Sequence, residues 1–168
     1  ISYKDQGSSD YGTAIVGTVS GTSISFGSSV VFESAHSYQM SSTFDSNSNK
    51  AVIVYNDVGN SGHGTAIIGT VSGTSISFGT AAVFEAGNTE LTCATFDSNS
   101  NKVVIGYKDA DDSNKGKAVV GTVSGTGISF GSIVTFESST SINQTTMTFD
   151  SNSNKVVLVI RGSSDVGK

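Results

Sequence analysis

Proline and tryptophan are absent from the 168-residue sequence, and cysteine occurs once, as Cys93. A single cysteine excludes a disulfide within the chain, although it says little about the compartment. Charged residues make up only 14%, and the net charge of −5 comes without any basic run. That balance argues against nucleic-acid binding, which needs Lys and Arg against phosphates. No apolar stretch approaches the roughly 20 residues of a membrane-spanning helix, so the sequence predicts no membrane span.

What is abundant is glycine, serine, threonine and asparagine, arranged in a tandem repeat of 52 positions. The segment GTAIVGTVSGTSISFG at Gly12 recurs nearly unchanged at Gly64 and Gly116. The segment TFDSNSNKAVIVYND at Thr43 also recurs twice, the last time after one inserted residue. All nine phenylalanines occupy equivalent positions, three per repeat. Each repeat is therefore expected to bury the same three rings in the same environment.

The repeat divides the chain into a partial repeat, 1–11, and three repeats, 12–63, 64–115 and 116–168. The opening ISYKD aligns with IVYND at Ile53, so on this alignment the first residues lie inside a repeat. The phase predicts that these residues are a window on a longer array or one part of an assembly.

The hydrophobic pattern predicts about four strands per repeat and no helix, because Gly, Ser, Thr and Asn disfavour helix. An Asp-Ser-Asn-Ser-Asn-Lys turn joins the first two strands, and the second is apolar on both faces, as in a strand covered from both sides. A Gly-rich loop follows. The last strand or pair is broken at a glycine. The predicted strands of one repeat are Met40–Phe44, Ala51–Tyr55, Thr65–Val71, Ser75–Phe78 and Ala81–Phe84.

This strand order resembles one blade of a β-propeller, as in the Trp-Asp repeat and YVTN-type families. The resemblance extends over all three repeats and implies an all-β fold of four-stranded, propeller-like blades. It rests on strand pattern, since the Trp-Asp dipeptide and the Asp box of sialidases are both missing. Three blades are too few for a ring. A β-trefoil, also three repeats of roughly 50 residues, is the alternative, although its Gln-x-Trp signature is absent; a stacked β-array is a third.

The amino-acid sequence of the repeat also resembles that of long repeat arrays in secreted adhesins and phage tail-fibre-like proteins. That resemblance, rather than the chemistry of the residues, implies attachment at an extracellular, virion or cell surface. We expect a non-enzymatic adhesion module, with multivalent glycan binding as one form. The alternative is a structural protein that assembles into a fibre or shell. The expected partners are further copies of the repeat, by self-association or within the chain, and surface glycans.

Residues suited to catalysis are scarce and do not recur. His36 and His63 align with no other histidine, which favours two exposed loop histidines. Cys93 aligns with Ser41 and Thr146, which indicates a small packed residue rather than a nucleophile. The repeats offer only symmetric carboxylates, such as Glu33, Glu85 and Glu137. The sequence therefore predicts no enzyme.

A repeated Tyr-x-Asp is the candidate ligand site. A tyrosine face stacks on sugar C–H groups, and a nearby carboxylate accepts from hydroxyls. The alternative is structural: a buried tyrosine whose hydroxyl is satisfied, with an aspartate that caps the Gly-rich loop. Ile160 and Gly162 replace the pair in the last copy. The candidate residues are Tyr3, Asp5, Tyr55, Asp57, Tyr107 and Asp109.

Calcium is the one cofactor that the sequence suggests. The Asp-Ser-Asn-Ser-Asn segments at Asp45, Asp97 and Asp150 resemble the start of a calcium loop but lack its Gly and closing Glu, which favours a plain turn. One Gly-rich loop is richer in acids, and its carboxylates form a candidate Ca²⁺ site. These are Asp109, Asp111 and Asp112.

Overall fold

The computed structural model of the chain describes residues 1–162 and is an all-β structure of antiparallel strands, which confirms the expected class. Two short 3-10 turns, Gln6–Ser8 and Val58–Asn60, interrupt it, and the described residues form no α-helix. This part of the chain contains no helix long and apolar enough to cross a bilayer.

The described residues form fifteen strands in chain order. These are β1 (Ser2–Asp5), β2 (Tyr11–Ala14), β3 (Gly17–Ser20), β4 (Ser23–Phe26), β5 (Val30–Asp45), β6 (Lys50–Asp57), β7 (His63–Ser72), β8 (Ser75–Phe78), β9 (Ala82–Asp97), β10 (Lys102–Asp109), β11 (Lys115–Ser124), β12 (Gly127–Phe130), β13 (Val134–Glu137), β14 (Ile142–Asp150) and β15 (Lys155–Gly162).

The two longest strands each belong to two sheets. The first half of β5 pairs with β2 and its second half pairs with β6, while β9 joins β7 to β10 in the same way. Gln39 and Leu91 lie at the two midpoints with φ of 51° and 54°, where the register shifts. The predicted strand that ends at Phe84 and the first strand of the next repeat therefore form one continuous strand, in which a bulge turns the chain from one sheet to the next.

These pairings arrange the repeats as four layers. Layer 1 contains β1 to β4 and the first half of β5. Layer 2 runs from the second half of β5 to the first half of β9, and layer 3 from the second half of β9 to β13. Layer 4 is the β14–β15 hairpin. The layer boundaries fall inside β5 and β9, so they are out of phase with the repeats read from the sequence.

The predicted Ser75–Phe78 and Ala81–Phe84 pair is confirmed as two separate strands. β8 and the start of β9 lie one after the other along the same edge of β7, at Gly69 and Ala66 respectively. Strand β8 thus forms a short hairpin with the end of β7, and the same hairpin recurs as β3–β4 and β11–β12.

Apolar cores lie between the layers. Ala14 of layer 1 clusters with Ile53, Tyr55, Ile67 and Ile76 on the facing side of layer 2. The opposite side of layer 2 clusters with layer 3 through equivalent positions, which are Val52, Val54, Ala66, Ile68, Phe84, Phe96, Val103, Ile105, Tyr107 and Val119. Because alternate side chains of a strand point to opposite faces, a strand such as β6 must be apolar on both faces to serve two cores.

The phenylalanines do not all have equivalent surroundings, contrary to the expectation from the repeat. Phe96 is 9% exposed beneath layer 2, whereas its equivalent Phe44 is 53% exposed. Phe26, in the terminal layer 1, is also exposed. The reason is positional: layer 1 has no strand that could cover Phe44, and no layer precedes layer 1 in the described chain.

The Asp-Ser-Asn-Ser-Asn segments are plain hairpin turns. Asp45 Oδ1 accepts from the backbone N–H groups of Asn47 and Ser48, and Ser48 Oγ donates to Asp45 Oδ2 at 2.6 Å. Asp97 and Asp150 repeat this pattern. The carboxylate oxygens are therefore used within the turn itself, as the turn alternative predicted.

Among the described residues the strands form neither a closed barrel nor a closed ring. A trefoil requires a closed barrel, so the layers provide no support for that alternative. A ligand or partner would therefore contact the loops or one of the two end faces, since the described strands form no enclosed cavity.

Candidate functional site

The Tyr-x-Asp residues lie in the interior. Tyr55 and Tyr107 are fully buried, and their rings contact Phe32 and Phe84 at centroid distances of 5.2 Å. Each hydroxyl donates to a glutamate, Tyr55 to Glu33 Oε2 at 3.2 Å and Tyr107 to Glu85 Oε2 at 3.0 Å. Burial, followed by the neighbouring carboxylate, raises the pKa of both phenols. Neither ring has a face for a sugar, so the structural alternative describes this geometry.

The aspartates of the motif cap the Gly-rich loops. Asp57 Oδ1 accepts from Asn60 N at 3.1 Å, and Asp5 Oδ1 accepts from Gly7 N at 3.0 Å. Asp57 is itself buried, while Tyr3 is half-buried because layer 1 is covered on one side only. The repeated motif thus positions the loops, and the structure does not present it as a ligand site.

The three acidic residues of the candidate calcium loop are held by other partners. Asp109 Oδ1 accepts from the N–H groups of Asp111 and Asp112, and its Oδ2 lies 2.6 Å from Lys117 Nζ. Lys117 also contacts Asp112, and hydrogen bonds to Lys115 and Lys117 lower the pKa of Asp112. The described residues include no group of three or more His, Cys, Asp or Glu that could hold a metal. Two of the three carboxylates, Asp109 and Asp112, are thus paired with ammonium groups, while Asp111 accepts from the backbone N–H of Asn88.

The histidines and the cysteine lie apart. His36 is exposed, 3.9 Å from Asp10, and His63 is half-buried on β7. Cys93 is buried, and burial raises the pKa of its thiol, which disfavours the nucleophilic thiolate. These groups do not form a nucleophile–base pair.

Two Gly-rich loops that differ between repeats line a groove. It lies between the Gly-rich loop of layer 2 and that of layer 3, with a volume of about 380 Å³. We call it the inter-loop groove; its residues are Tyr38, Asn56, Val58, Ser61, Gly62, Asn88 and Asp111.

Asn56 is the most unusual residue of this groove. Its side chain is fully buried, and its Nδ2 faces three acceptors: Gly62 O at 3.2 Å, Asn88 Oδ1 at 3.1 Å and Thr89 O. That environment determines the amide orientation, since an oxygen could not replace Nδ2 there. Asn56 Oδ1 is buried and has no hydrogen-bond partner among the described residues. A buried acceptor without a donor costs about 1–3 kcal/mol.

Layers 1 and 3 fill the equivalent place with an ion pair. The counterparts of Asn56 are Lys4 and Lys108, and Lys108 pairs with Glu90, which is itself the counterpart of Tyr38. Lys4 pairs with Asp10 at 3.2 Å. Layer 2 thus has neutral Asn56 and the ring of Tyr38 where layer 3 has the Lys108–Glu90 pair.

The rim of the groove is set by a contact between layers. Asn88 N donates to Asp111 Oδ2 at 2.8 Å, which holds the Asp111 carboxylate at the edge. Tyr38 is half-buried, and burial, then Glu90, raises its pKa. Its phenol remains neutral near pH 7. The sequence shows asparagine at position 56 where the equivalent positions have lysine. It does not show that Tyr38 and Asp111 lie beside Asn56, which only the structure reveals.

A second groove follows the midpoints of the long strands. It has a volume of about 700 Å³ and is mainly apolar, and Leu91 N donates to Gln39 Oε1 at 2.6 Å across the layers. Thr92 Oγ1 donates to Gln39 O, and Thr145 Oγ1 donates to Leu91 O. These hydrogen bonds form a ladder that joins successive layers. Its polar groups are thus largely used in joining successive layers.

Comparison with known proteins adds no assignment: no family model, no curated protein and no solved structure matches the chain.

Proposed function

We propose that this chain is a non-enzymatic repeat module of an extracellular, virion or cell surface, that it serves attachment, and that its inter-loop groove binds a glycan. The observation that carries the proposal is the composition of that groove. An aromatic ring, two side-chain amides and a carboxylate converge at Tyr38, Asn56, Asn88 and Asp111. These are the groups that recognise sugars, through ring stacking and hydrogen bonds to hydroxyls.

The charges of the groove define the class of glycan. Asp111 accepts hydrogen bonds and repels anions, and no lysine or arginine lines the groove as the described residues form it. The net charge of the chain is −5. A neutral oligosaccharide therefore fits better than a sialylated or sulfated one.

We also propose that the four layers are propeller-like blades. Supporting this, the first strands of successive layers contact one another through the Gln39, Leu91 and Thr145 ladder. In a propeller the innermost strands meet in this way around the axis, and hairpins lie outside. Because the groove occurs once per described chain, multivalent attachment would come from several copies rather than from every repeat.

Glycan binding is tested with the full chain on an array of neutral and anionic oligosaccharides, followed by titration of the best ligand by calorimetry. We expect neutral glycans to bind with Kd in the micromolar to millimolar range. The double variant Tyr38→Glu with Asn56→Lys copies the Lys108–Glu90 pair and should abolish binding while the fold persists.

The matched control is Tyr11→Ala, because Tyr11 is a half-buried tyrosine outside the groove. It should bind like the parent chain, whereas Tyr38→Ala should lose at least tenfold in affinity. No binding by the parent chain to any neutral glycan, or equal binding by the double variant, would rule out this site.

A further inference from the structure

Successive layers are locked together at one repeated contact. The tip of the β7–β8 hairpin places Thr74 O against Gly27, and the tip of the β11–β12 hairpin places Thr126 O against Gly79. In both cases an added Cβ would clash with the carbonyl oxygen. Gly27 and Gly79 are 52 positions apart. Each layer therefore carries a glycine that receives the hairpin of the next layer.

The third glycine of this series contacts no hairpin tip in the described chain. Gly131 is the next equivalent glycine, and a Cβ there would meet only Val120 O, at 3.8 Å. At the other end, the tip of the β3–β4 hairpin, with Thr22, is the counterpart of Thr74 and Thr126 and has no preceding layer to receive it. The described chain thus has one receiver without a hairpin and one hairpin without a receiver.

The apolar surfaces at the two ends match in the same way. In layer 1, Ile24 and Phe26 are each 51% exposed, whereas their counterparts in layer 2 are covered: Ile76 is 9% exposed and Phe78 packs on the core. We call Thr22, Ile24 and Phe26 the tail surface.

On layer 3, Val120 is 44% exposed and Val134 is 63% exposed. We call these two residues, with Gly131 and Phe136, the head surface. Their counterparts in layer 1, Val16, Val30 and Phe32, pack against layer 2, and Phe32 contacts Phe78 at a centroid distance of 5.6 Å. Phe84 repeats this contact with Phe130 at 5.8 Å. Phe136 and Phe26 are the next pair in that series, and they lie at opposite ends of one chain.

We propose that two copies of this chain associate head to tail, with the tail surface of one on the head surface of the other. The occupant is identified by the internal interfaces: twice within the chain, a surface equivalent to the tail already packs on one equivalent to the head. Thr22 then lies over Gly131, and Phe26 contacts Phe136. The contact joins two different surfaces, so it propagates into a ring or a filament.

This arrangement requires strand β1 of the incoming copy to be displaced. The β15 strand occupies in layer 4 the place that β1 holds in layer 1, since Ile160 is the counterpart of Tyr3. Within the described residues β15 pairs only with β14. In the complex, β15 pairs with β2 of the incoming copy and displaces its β1, which has only four residues.

The test is multi-angle light scattering of the full chain over a wide concentration range. The parent chain should show masses that are multiples of 17.1 kDa and increase with concentration. Gly131→Leu blocks the head surface and Ile24→Glu places a charge on the tail surface. Each should be monomeric, with a Tm close to that of the parent chain in dilute solution, because Gly131 is open and Ile24 is half exposed. Gly127→Leu, an open position on the β11–β12 hairpin, is the control and should associate like the parent.

Mixing the two variants distinguishes head-to-tail association from a symmetric dimer. Each variant retains the surface that the other lacks, so the mixture should form a dimer that grows no further. Amide exchange of β1 should also become faster on association of the parent chain. A parent chain that stays monomeric, a Gly131→Leu variant that associates normally, or a mixture that stays monomeric would each overturn the proposal. Glycan binding is independent of all these outcomes.

Discussion

At the scale of single residues, stability depends on which polar groups are paired inside the layers. Tyr107 is buried with its hydroxyl on Glu85, and the pair serves to join two layers. Asn56 is buried with one atom unpaired. The two residues differ in that the Tyr107 hydroxyl has a partner and Asn56 Oδ1 has none among the described residues.

The buried phenols predict an unusual alkaline titration. The pKa values of Tyr55 and Tyr107 are raised by burial and by the adjacent glutamates, Glu33 and Glu85. Their contribution to stability is complete below the ordinary tyrosine value of 10 and declines as pH rises above it, because only the unfolded state ionises. Absorbance at 295 nm should show that these two tyrosines ionise only on unfolding.

The control for the alkaline titration is Tyr107→Phe, which should remove one of the two late-titrating groups. It should also cost about 1 kcal/mol of stability, since Glu85 loses its partner. If all five tyrosines of the folded chain titrated together near pH 10, the buried geometry would be wrong.

At the scale of elements, the hairpin turn is the unit that repeats most faithfully. Asp97 and Asp150 each accept three hydrogen bonds within their turn, from two backbone N–H groups and a serine hydroxyl. This pattern depends only on neighbours in sequence, which is why the turn could be predicted. The Gly-rich loops instead depend on contacts across layers, such as Asn88 with Asp111.

The turns predict a loss of stability in acid. Hydrogen bonds from Ser100 and Ser153 lower the pKa of Asp97 and Asp150 below the ordinary value of 3.8. The corresponding stability is present above pH 3.8 and is lost as pH falls through the lowered values. We expect Tm to fall below about pH 4 and to fall less steeply in Ser100→Ala, as measured by circular dichroism. Ser98→Ala, in the same turn, should behave like the parent chain; an identical acid profile for Ser100→Ala would contradict this account.

At the scale of the whole molecule, the glycine contacts between layers carry the stacking. Gly79→Leu should destabilise the chain by about 3 kcal/mol or more, because the backbone of Thr126 must move. Gly131→Leu should leave Tm unchanged in dilute solution, where the chain is monomeric. Chemical denaturation of both variants measures the difference, and equal destabilisation of the two would mean that the receiving position is not specific to stacked layers.

Much of this architecture could be predicted from particular residues, and much could not. The strands around Val52–Val54 and the turn after Asp45 followed from alternation and from local hydrogen bonding. The Tyr-x-Asp motif did not reveal its burial, because a tyrosine on a strand can face a core or a ligand. Asp109, Asp111 and Asp112 resembled a metal loop only while Lys117, eight residues further on from Asp109, was left out of account.

The sequence by itself determined the repeat, the all-β class and the turns, because these depend on period, propensity and neighbours along the chain. Tertiary structure decided which equivalent residues are covered, since a layer gains its second core only where another layer packs on it. It also decided that Tyr38, Asn56 and Asp111 meet in one groove, and that Gly131 lacks the hairpin that Gly27 and Gly79 receive. Contacts between layers are nonlocal, and identical repeats acquire different roles through them.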